Sequence, residues 1–222
     1  MKTDNELQRE VATELSWNPS IQHEDIAVAA KDGVITLGGT VDTYAQRYAA
    51  ERAVERVKGV RAIANDLTVK LDKTSERSDS EIAHAAVTAL RANVEVPDER
   101  ITAKVSKGWL SLQGEVNWQF QRDAAARAVR YLAGVKGIAN GIRVAATART
   151  DVKLRVEAAL KRGAEVDASH IGVETEGHLV TLRGTVRSLA EKNDASRAAW
   201  GTLGVNQVVN LLVVEPWVLA TA

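Results

Sequence analysis

Three widely separated stretches of the chain carry an apolar residue at every fourth position, with charged or small residues between. The three sets are Leu7, Val11 and Leu15; Ile82, Ala86 and Leu90; and Val152, Val156 and Leu160. This spacing places the apolar residues on one face of an α-helix. Near the starts stand Asp4, Asp79 and Asp151, acidic residues that can cap free amides and suit the helix dipole. We therefore predict an amphipathic helix at each stretch.

A shorter period follows each helical stretch. Apolar and polar residues alternate at Ile26 and Val28, at Ile101, Ala103 and Val105, and at Ile171 and Val173. Alternation of this kind is typical of a half-buried β-strand. Each run ends in a turn signal: Lys31-Asp32-Gly33, Lys107-Gly108 or Glu176-Gly177. A second apolar run comes directly after the turn, so the pattern predicts a β-hairpin.

The second strand opens a segment that occurs three times, beginning at Gly33, Gly108 and His178. A turn glycine, a Gly-Val pair 20 residues later and an Asn 26 residues later keep the same spacing in every copy. These residues are Gly39, Gly59 and Asn65; Gly114, Gly134 and Asn140; and Gly184, Gly204 and Asn210. Between the glycines lies a pattern of small and charged residues typical of a helix, and an apolar strand follows the Gly-Val pair.

Each unit is therefore predicted to have the order αββαβ, and the chain to be an α+β protein of three tandem domains. We expect a small three-stranded mixed sheet in each domain, with two helices packed on it. The polar segments LDKTSERS and AATART act as linkers, which gives domains at 1–73, 74–148 and 149–222. The third domain ends in an apolar tail with Trp217, Val218 and Leu219, and the sequence leaves open whether this tail docks in cis or in trans.

The sequence LGGTVD in the first copy has the order strand, glycine turn, helix that proteins use to bind phosphate. Gln113 and Arg183 replace its first glycine in the other copies, and Asp42 or Asn117 stands where a helix N-cap is expected. We therefore interpret the turn glycines as structural. They provide a positive φ or a close approach of the helix to the sheet. The later glycines, Gly59, Gly134 and Gly204, are predicted to be left-handed helix C-caps.

Composition argues against several classes of function. The 222-residue chain has 29 basic and 29 acidic residues, so its formal net charge of zero disfavours nucleic-acid binding through bulk charge. It contains no cysteine, and no Ser-His-Asp arrangement stands out. His170, Glu174, Glu176 and His178 resemble a metal-ligand set, but His170 and Glu174 are roughly 13 Å apart along a strand. We expect no enzymatic activity, no metal and no cofactor.

The N-terminal residues alternate charge with single apolar residues and do not form the apolar core of a secretory signal. No other run approaches the length that crosses a membrane. We therefore expect a soluble cytoplasmic protein, or a periplasmic one only if a leader was removed.

The chain uses five Trp but only one Phe, so each aromatic residue needs an explanation. Trp118 and Phe120 occupy the first turn of the main helix in the second domain, the only domain in which basic residues outnumber acidic ones. They are candidates for membrane or partner contact, and the alternative is packing between domains. Trp17 is expected to pack over a loop, and Trp109 and Trp200 to lie in the core or between domains.

The residues of the repeat resemble those of the BON domain, named after bacterial osmotically induced and nodulation-associated proteins. The likeness rests on a pattern close to V-x-L-x-G-x-V, an Ala-rich helix, the Gly-Val pair and a strand containing Asn. The resemblance covers nearly the whole chain in three copies. It implies an αββαβ fold, a non-enzymatic module, and structural roles for Gly39, Gly114 and Gly184. It also implies a link to envelope maintenance, osmotic stress response and phospholipid or membrane binding, in a family once labelled transport-associated.

Three functions remain open from the sequence. The resemblance favours a non-catalytic protein that binds phospholipid or membrane surfaces during osmotic or envelope stress. One alternative is a protein-interaction scaffold that uses strand edges and inter-domain grooves to bind a partner or to self-associate. The other is a small-ligand or ion sensor, because relatives in the family include a potassium-binding protein.

Overall fold

The predicted order of elements is confirmed in each of the three copies. The computed structural model describes residues 2–145, 152–162 and 168–215, and these residues contain six α-helices and three mixed sheets. The prediction of an α+β fold with three small sheets is therefore correct. The predictions for Asp151, for residues 146–150 of the second linker and for the C-terminal tail lie outside the described residues.

The first domain has two helices and one sheet. Its elements are α1 (Asp4–Ser16), β1 (Ile26–Lys31), β2 (Val34–Val41), α2 (Tyr44–Arg56), β3 (Ala62–Asn65) and β4 (Thr68–Val69). β1 and β2 form an antiparallel hairpin in which Ile26 lies opposite Gly39. β3 runs parallel to β2, and β4 also pairs with β2, so a break at Asp66 and Leu67 divides the third strand.

The second domain repeats this topology with an unbroken third strand. Its elements are α3 (Asp79–Ala92), β5 (Ile101–Ser106), β6 (Trp109–Val116), α4 (Gln119–Val129) and β7 (Gly137–Val144). β6 is the central strand, antiparallel to β5 and parallel to β7 over eight residue pairs from Trp109–Gly137 to Val116–Val144. A hairpin strand and a crossover strand thus flank the central strand, which is the sheet order of the first domain.

The third domain has the same arrangement. Its elements are α5 (Val152–Arg162), β8 (Ile171–Glu176), β9 (Leu179–Val186), α6 (Leu189–Trp200) and β10 (Gln207–Val214). β9 is antiparallel to β8 and parallel to β10.

The described residues form two compact units that do not coincide with the three domains. One comprises the described residues within 1–39, 48–68 and 147–222, and the other comprises those within 40–47 and 69–146. The first and third domains therefore share a unit, which lacks the end of β2, the start of α2 and the first-domain residues from Val69 onward. Those residues belong to the unit of the second domain, where Tyr44 packs against the core.

Each core is built from the predicted helix face and the inner face of the sheet. The residues spaced by four in α1, α3 and α5 are all buried, which confirms the helical pattern. The second helix of each domain contributes pairs of fully buried alanines: Ala50 and Ala53, Ala124 and Ala125, and Ala195 and Ala199. Because these side chains are short, the helix backbone can lie close to the sheet.

Asp4 and Asp79, at the start of α1 and α3, do not cap those helices, contrary to prediction. Thr3 and Ser78 are the N-caps, each in a reciprocal capping box with the Glu three residues later. Asp79 instead accepts hydrogen bonds from the hairpin amides of Lys107 and Gly108, at 2.7 and 2.9 Å, and Asp4 does the same in the first domain. This carboxylate fixes the helix to the hairpin turn.

The recurring Asn connects the third strand to the second helix. Asn140 and Asn210 donate through Nδ2 to the helix carbonyls of Arg122 and Lys192, at 3.1 and 2.8 Å. In the first domain, Asn65 Nδ2 donates to the carboxylate of Glu51 on α2, at 2.8 Å. In all three copies Oδ1 accepts from the amide two residues later in the chain, at 3.2 to 3.3 Å. A residue that marks the repeat in the sequence therefore forms a hydrogen-bonded link in the fold.

The turn glycines lie where the central strand passes very close to the start of the hairpin. Gly39, Gly114 and Gly184 have φ values of 112°, 146° and 126°, which favour glycine. A Cβ atom at these positions would overlap the carbonyl oxygens of Asp25, Arg100 and His170 respectively. The close approach is therefore to the residue before the first strand, and not to the helix.

The second set of glycines also has positive φ, but it does not cap the helices as predicted. The C-caps of α4 and α6 are Arg130 and Gly201, so Gly134 and Gly204 lie in the turn that follows each helix. At Gly134 a Cβ would come within 2.8 Å of the Ile82 side chain. This glycine lets the turn pack against the first helix of its domain.

Replacement of Gly39 by Ala should lower stability by about 3 kcal/mol, because strain at positive φ adds to the overlap with the Asp25 carbonyl. Gly38→Ala is the matched control, since no atom lies within 4 Å of the added Cβ and φ is not positive there. We expect the control to change stability by no more than about 1 kcal/mol. Chemical denaturation of both variants measures the difference, and equal effects would contradict the proposed role of the close approach.

Loss of the Asn210 side chain should destabilise the third domain by about 1–3 kcal/mol, because Lys192 O and Leu212 N lose their partner. The control is Asn206→Ala in the same loop and strand region, since the Asn206 side chain has no hydrogen bond recorded among the described residues. Thermal unfolding should show a lower midpoint for Asn210→Ala alone. A similar shift in both variants would argue against the link.

Candidate functional site

The three domains carry different side chains at the corner where the central strand passes into the second helix. We call residues 117–120 of the second domain, with sequence Asn-Trp-Gln-Phe, the aromatic corner. The equivalent residues are Asp42-Thr43-Tyr44-Ala45 in the first domain and Arg187-Ser188-Leu189-Ala190 in the third. Since the backbone around the corner glycine is the same, the different side chains are not required by the fold.

Polar contacts on both sides hold the aromatic corner in place. Gln121 Oε1 accepts from the amides of Asn117 and Trp118 at 3.0 and 3.1 Å. Arg100, which lies before β5, donates through Nη1 to Asn117 Oδ1 at 3.2 Å. The start of α4 is therefore fixed from within the helix and from the hairpin, and Trp118 and Phe120 project from a rigid base.

The helix N-cap lies one residue later than predicted. Thr43 Oγ1 accepts from the amide of Gln46 at 3.2 Å, and Ser188 Oγ accepts from that of Glu191 at 3.1 Å. Asp42 and Asn117 were expected to cap and do not, since they lie one residue before the cap position. Their backbone amides donate to the Gln side chain of the first turn. In the second domain the N-cap position is taken by Trp118, which has an extended backbone and no side-chain oxygen to accept a bond from the helix amides.

Both aromatic side chains of this corner are accessible. Trp118 is 36% exposed and Phe120 is 52% exposed. In the first domain the equivalent corner is used for packing, since Tyr44 lies against the core of the second domain. In the third domain Arg187 O accepts a bond from Gly59 N of the first domain at 3.3 Å. The corner is thus a position at which this fold makes contacts beyond its own domain.

The other tryptophans are placed differently from one another. Trp17 is 74% exposed, so the prediction that it packs over a loop is wrong. Trp109 is half exposed on the open face of its sheet, where its ring covers Gly137 on the neighbouring strand. Trp200 is partly buried and packs against the third core. Trp217 lies outside the described residues.

The structure brings no metal ligands together within the part of the chain that it describes. His170 lies in a short 3-10 turn before β8, and Glu174 and Glu176 lie on that strand. His178 is in the hairpin turn, with Nδ1 3.0 Å from the carbonyl oxygen of Gly204. Among the described residues, no helix is long and apolar enough to cross a membrane.

A basic helix surface also emerges that the sequence reading did not single out. The outer face of α5 carries Lys153, Arg155, Lys161 and Arg162 together with the exposed Leu154. The helix has one acidic residue, Glu157, which pairs with Lys153 at 4.0 Å. α1, at the equivalent position, has four acidic residues and one basic residue. Comparison of charge among the three equivalent helices would have revealed this difference from the sequence.

Comparison with known proteins adds independent information. The family model described as BON domain matches residues 3–70, 78–146 and 149–216. A relative among curated proteins is osmotically-inducible protein Y of Escherichia coli strain K12. It is 28% identical over 148 residues, which cover 63% of this chain and 72% of that protein.

Two solved structures of CdsD, a structural protein of the type III secretion system of Chlamydia trachomatis, align over most of the chain. One is 14% identical and covers 94% of this chain and 92% of its own, with a TM-score of 0.26. The other, the C-terminal domain, is 12% identical and covers 97% and 100%, with a TM-score of 0.27. At these scores the likeness carries no argument about arrangement or function.

Proposed function

Because the chain belongs to the BON domain family, we propose that it is a non-catalytic binding protein that contacts phospholipid surfaces through its aromatic corner. The observation that carries this proposal is the exposure of Trp118 and Phe120 side by side at a rigid helix start. Neither aromatic residue occurs at the equivalent corners of the other two domains. The fold therefore does not need them there, and exposed aromatic area of this kind suits a lipid interface.

The chemistry of the two side chains fits the membrane interface. The Trp ring combines a large apolar surface with an N–H donor, which favours the region between headgroups and acyl chains. Phe120, on the first turn of α4, adds purely apolar area. Since the chain as a whole has no net charge, we expect insertion of apolar surface to contribute more than long-range attraction.

The basic face of α5 supports the same proposal through a different interaction. Four basic side chains and an exposed leucine on one helix match the surface of an anionic bilayer. Each basic residue near such a surface contributes about 1 kcal/mol of attraction at moderate salt. We therefore propose that anionic lipids bind more strongly than zwitterionic ones, and that added salt weakens only this part of the interaction.

The physiological setting that we propose is osmotic or envelope stress. Support comes from family membership and from the relative named as an osmotically inducible protein.

A protein-interaction scaffold is the second candidate, and it has its own support in the third domain. β10 pairs only with β9 in the described sheet, and it exposes Leu211 and Val213 on its open face. A strand edge with apolar side chains can accept another strand from a partner or from a second copy. Concentration-dependent light scattering, or a specific partner recovered in pull-downs, would favour this candidate.

Replacement of both aromatic residues by serine, in Trp118→Ser/Phe120→Ser, should weaken binding to vesicles of equimolar phosphatidylglycerol and phosphatidylcholine. We expect a loss of about tenfold in the partition coefficient, because the inserted apolar area is removed. Vesicle co-sedimentation measures the change. The variant Trp17→Ser/Tyr131→Ser is the matched control, since it removes two aromatic side chains that are 74% and 75% exposed.

The proposal fails if the unmodified chain does not bind anionic or zwitterionic vesicles. It also fails if the control variant loses as much binding as the corner variant. A normal partition coefficient for the corner variant, combined with loss of binding in Lys153→Gln/Lys161→Gln, would assign the contact to α5 and remove the corner from it.

A further inference from the structure

We propose that a cavity between the first and third domains, here called the junction cavity, binds a phosphoryl anion. The two domains belong to one compact unit, and the cavity has a volume of about 390 Å³. Its walls include five basic side chains: Arg52, Arg56 and Lys58 from the first domain and Arg187 and Arg197 from the third. A volume of this size holds a phosphate, a pyrophosphate or a phospholipid headgroup.

The walls of the junction cavity are joined by direct hydrogen bonds. Gly59 N, at the positive-φ glycine after α2, donates to Arg187 O at 3.3 Å. Glu55 on α2 shares a side-chain hydrogen bond with Asn193 on α6, and burial raises the pKa of the Glu55 carboxyl. The basic residues are therefore presented by two elements whose backbones are in contact, rather than by independent surface side chains.

Comparison of the three repeats separates residues that the fold needs from residues that the cavity needs. Arg52 and Arg197 occupy the same repeat position, which is Arg127 in the second domain, so a basic residue there is general. At three of the five basic positions of the cavity, the residue is basic only in the domain that contributes it to the cavity, and neutral or acidic in the other two domains. Lys58 corresponds to Ala133 and Leu203, Arg56 to Tyr131 and Gly201, and Arg187 to Asp42 and Asn117. These charges converge on one cavity although no repeat requires them.

Charge in the cavity is only partly neutralised. Of the acidic residues, Glu191 and Asp194 line the walls, against five basic side chains. Each of the four arginines pairs with a carboxylate. Arg187 pairs with Glu191 at 3.2 Å and Arg56 with Glu14 at 2.8 Å, while Arg52 pairs with Glu55 and Arg197 with Asp194. Lys58 is an exposed residue and forms no ion pair with the described part of the chain. Five basic side chains therefore face four paired carboxylates, and the remaining positive charge, on Lys58, favours an anion in the cavity.

The mixture of side chains matches a phosphoryl group better than a carboxylate. Guanidinium groups bind phosphate oxygens in pairs, and an ammonium group adds a point charge that several oxygens can share. The carboxylates that pair with Arg56 and Arg187 also hold these arginines in a fixed orientation. Free phosphate compounds and lipid headgroups present the same chemistry, so the source of the phosphoryl group is a question for experiment.

The test uses the full chain with inorganic pyrophosphate in isothermal titration calorimetry. Arg56→Gln/Lys58→Glu should reduce affinity by about tenfold or more, because the unpaired ammonium is replaced by a negative charge. The matched control is Arg143→Gln/Lys104→Glu, which makes the same charge change at two exposed positions on the sheet of the second domain. Circular dichroism and thermal unfolding check that both variants fold.

A second arm of the test identifies the source of the phosphoryl group. If the cavity variant also loses binding to phosphatidylglycerol vesicles while the control does not, the site takes a lipid headgroup. If vesicle binding is unchanged while pyrophosphate binding is lost, the site takes a soluble anion. No heat of binding for pyrophosphate together with unchanged vesicle binding overturns the proposal, as does an equal loss in the control. The pyrophosphate titration does not involve Trp118 or Phe120, so failure of the proposal for the aromatic corner would leave its result unchanged.

Discussion

The close approach at the corner glycine is the constraint on which each domain depends. The central strand crosses the residue before the hairpin so closely that no Cβ fits, at Gly39, Gly114 and Gly184 alike. Because glycine allows this close approach, the central strand continues two residues past it. The chain then turns at the corner and starts the second helix. That helix then lies on the sheet through its buried alanines, and the recurring Asn holds it to the third strand. A single backbone contact thus sets the direction of three elements.

The helices and strands could be predicted because they follow from local hydrophobic periodicity. The positions that require glycine could be predicted because the three repeats align with one another and share these glycines. The hydrogen-bond and packing partners of individual side chains could not be predicted, because they depend on contacts between distant parts of the chain. Asp79 was expected to cap its helix, but it accepts from the amides of Lys107 and Gly108, which lie 28 and 29 residues away. Exposure of Trp17 was missed for a similar reason. The pattern of a helix end does not show whether a neighbouring loop covers it.

The repeat also provides a way to separate structure from function within one sequence. Positions that are the same in all copies, such as the glycines and Asn140, have a clear role in the fold. Positions that differ between copies without any change of backbone are free to serve binding. The aromatic corner, the basic face of α5 and Lys58 all belong to this second group. Each is found in one domain only, so the three domains have a common architecture and different surfaces.

The third domain shows how such a difference is made compatible with folding. In the first two domains a neutral Gln of the first helical turn accepts from the corner amide, whereas Glu191 does so in the third, at 2.7 Å. Glu191 is only 4% exposed, and a buried carboxylate without a partner is costly. Arg187 replaces the Asp or Asn of the other copies and pairs with it. Arg187 therefore neutralises the buried Glu191 and also lines the junction cavity. Since part of its charge is already compensated, the unpaired Lys58 supplies the stronger attraction for an anion.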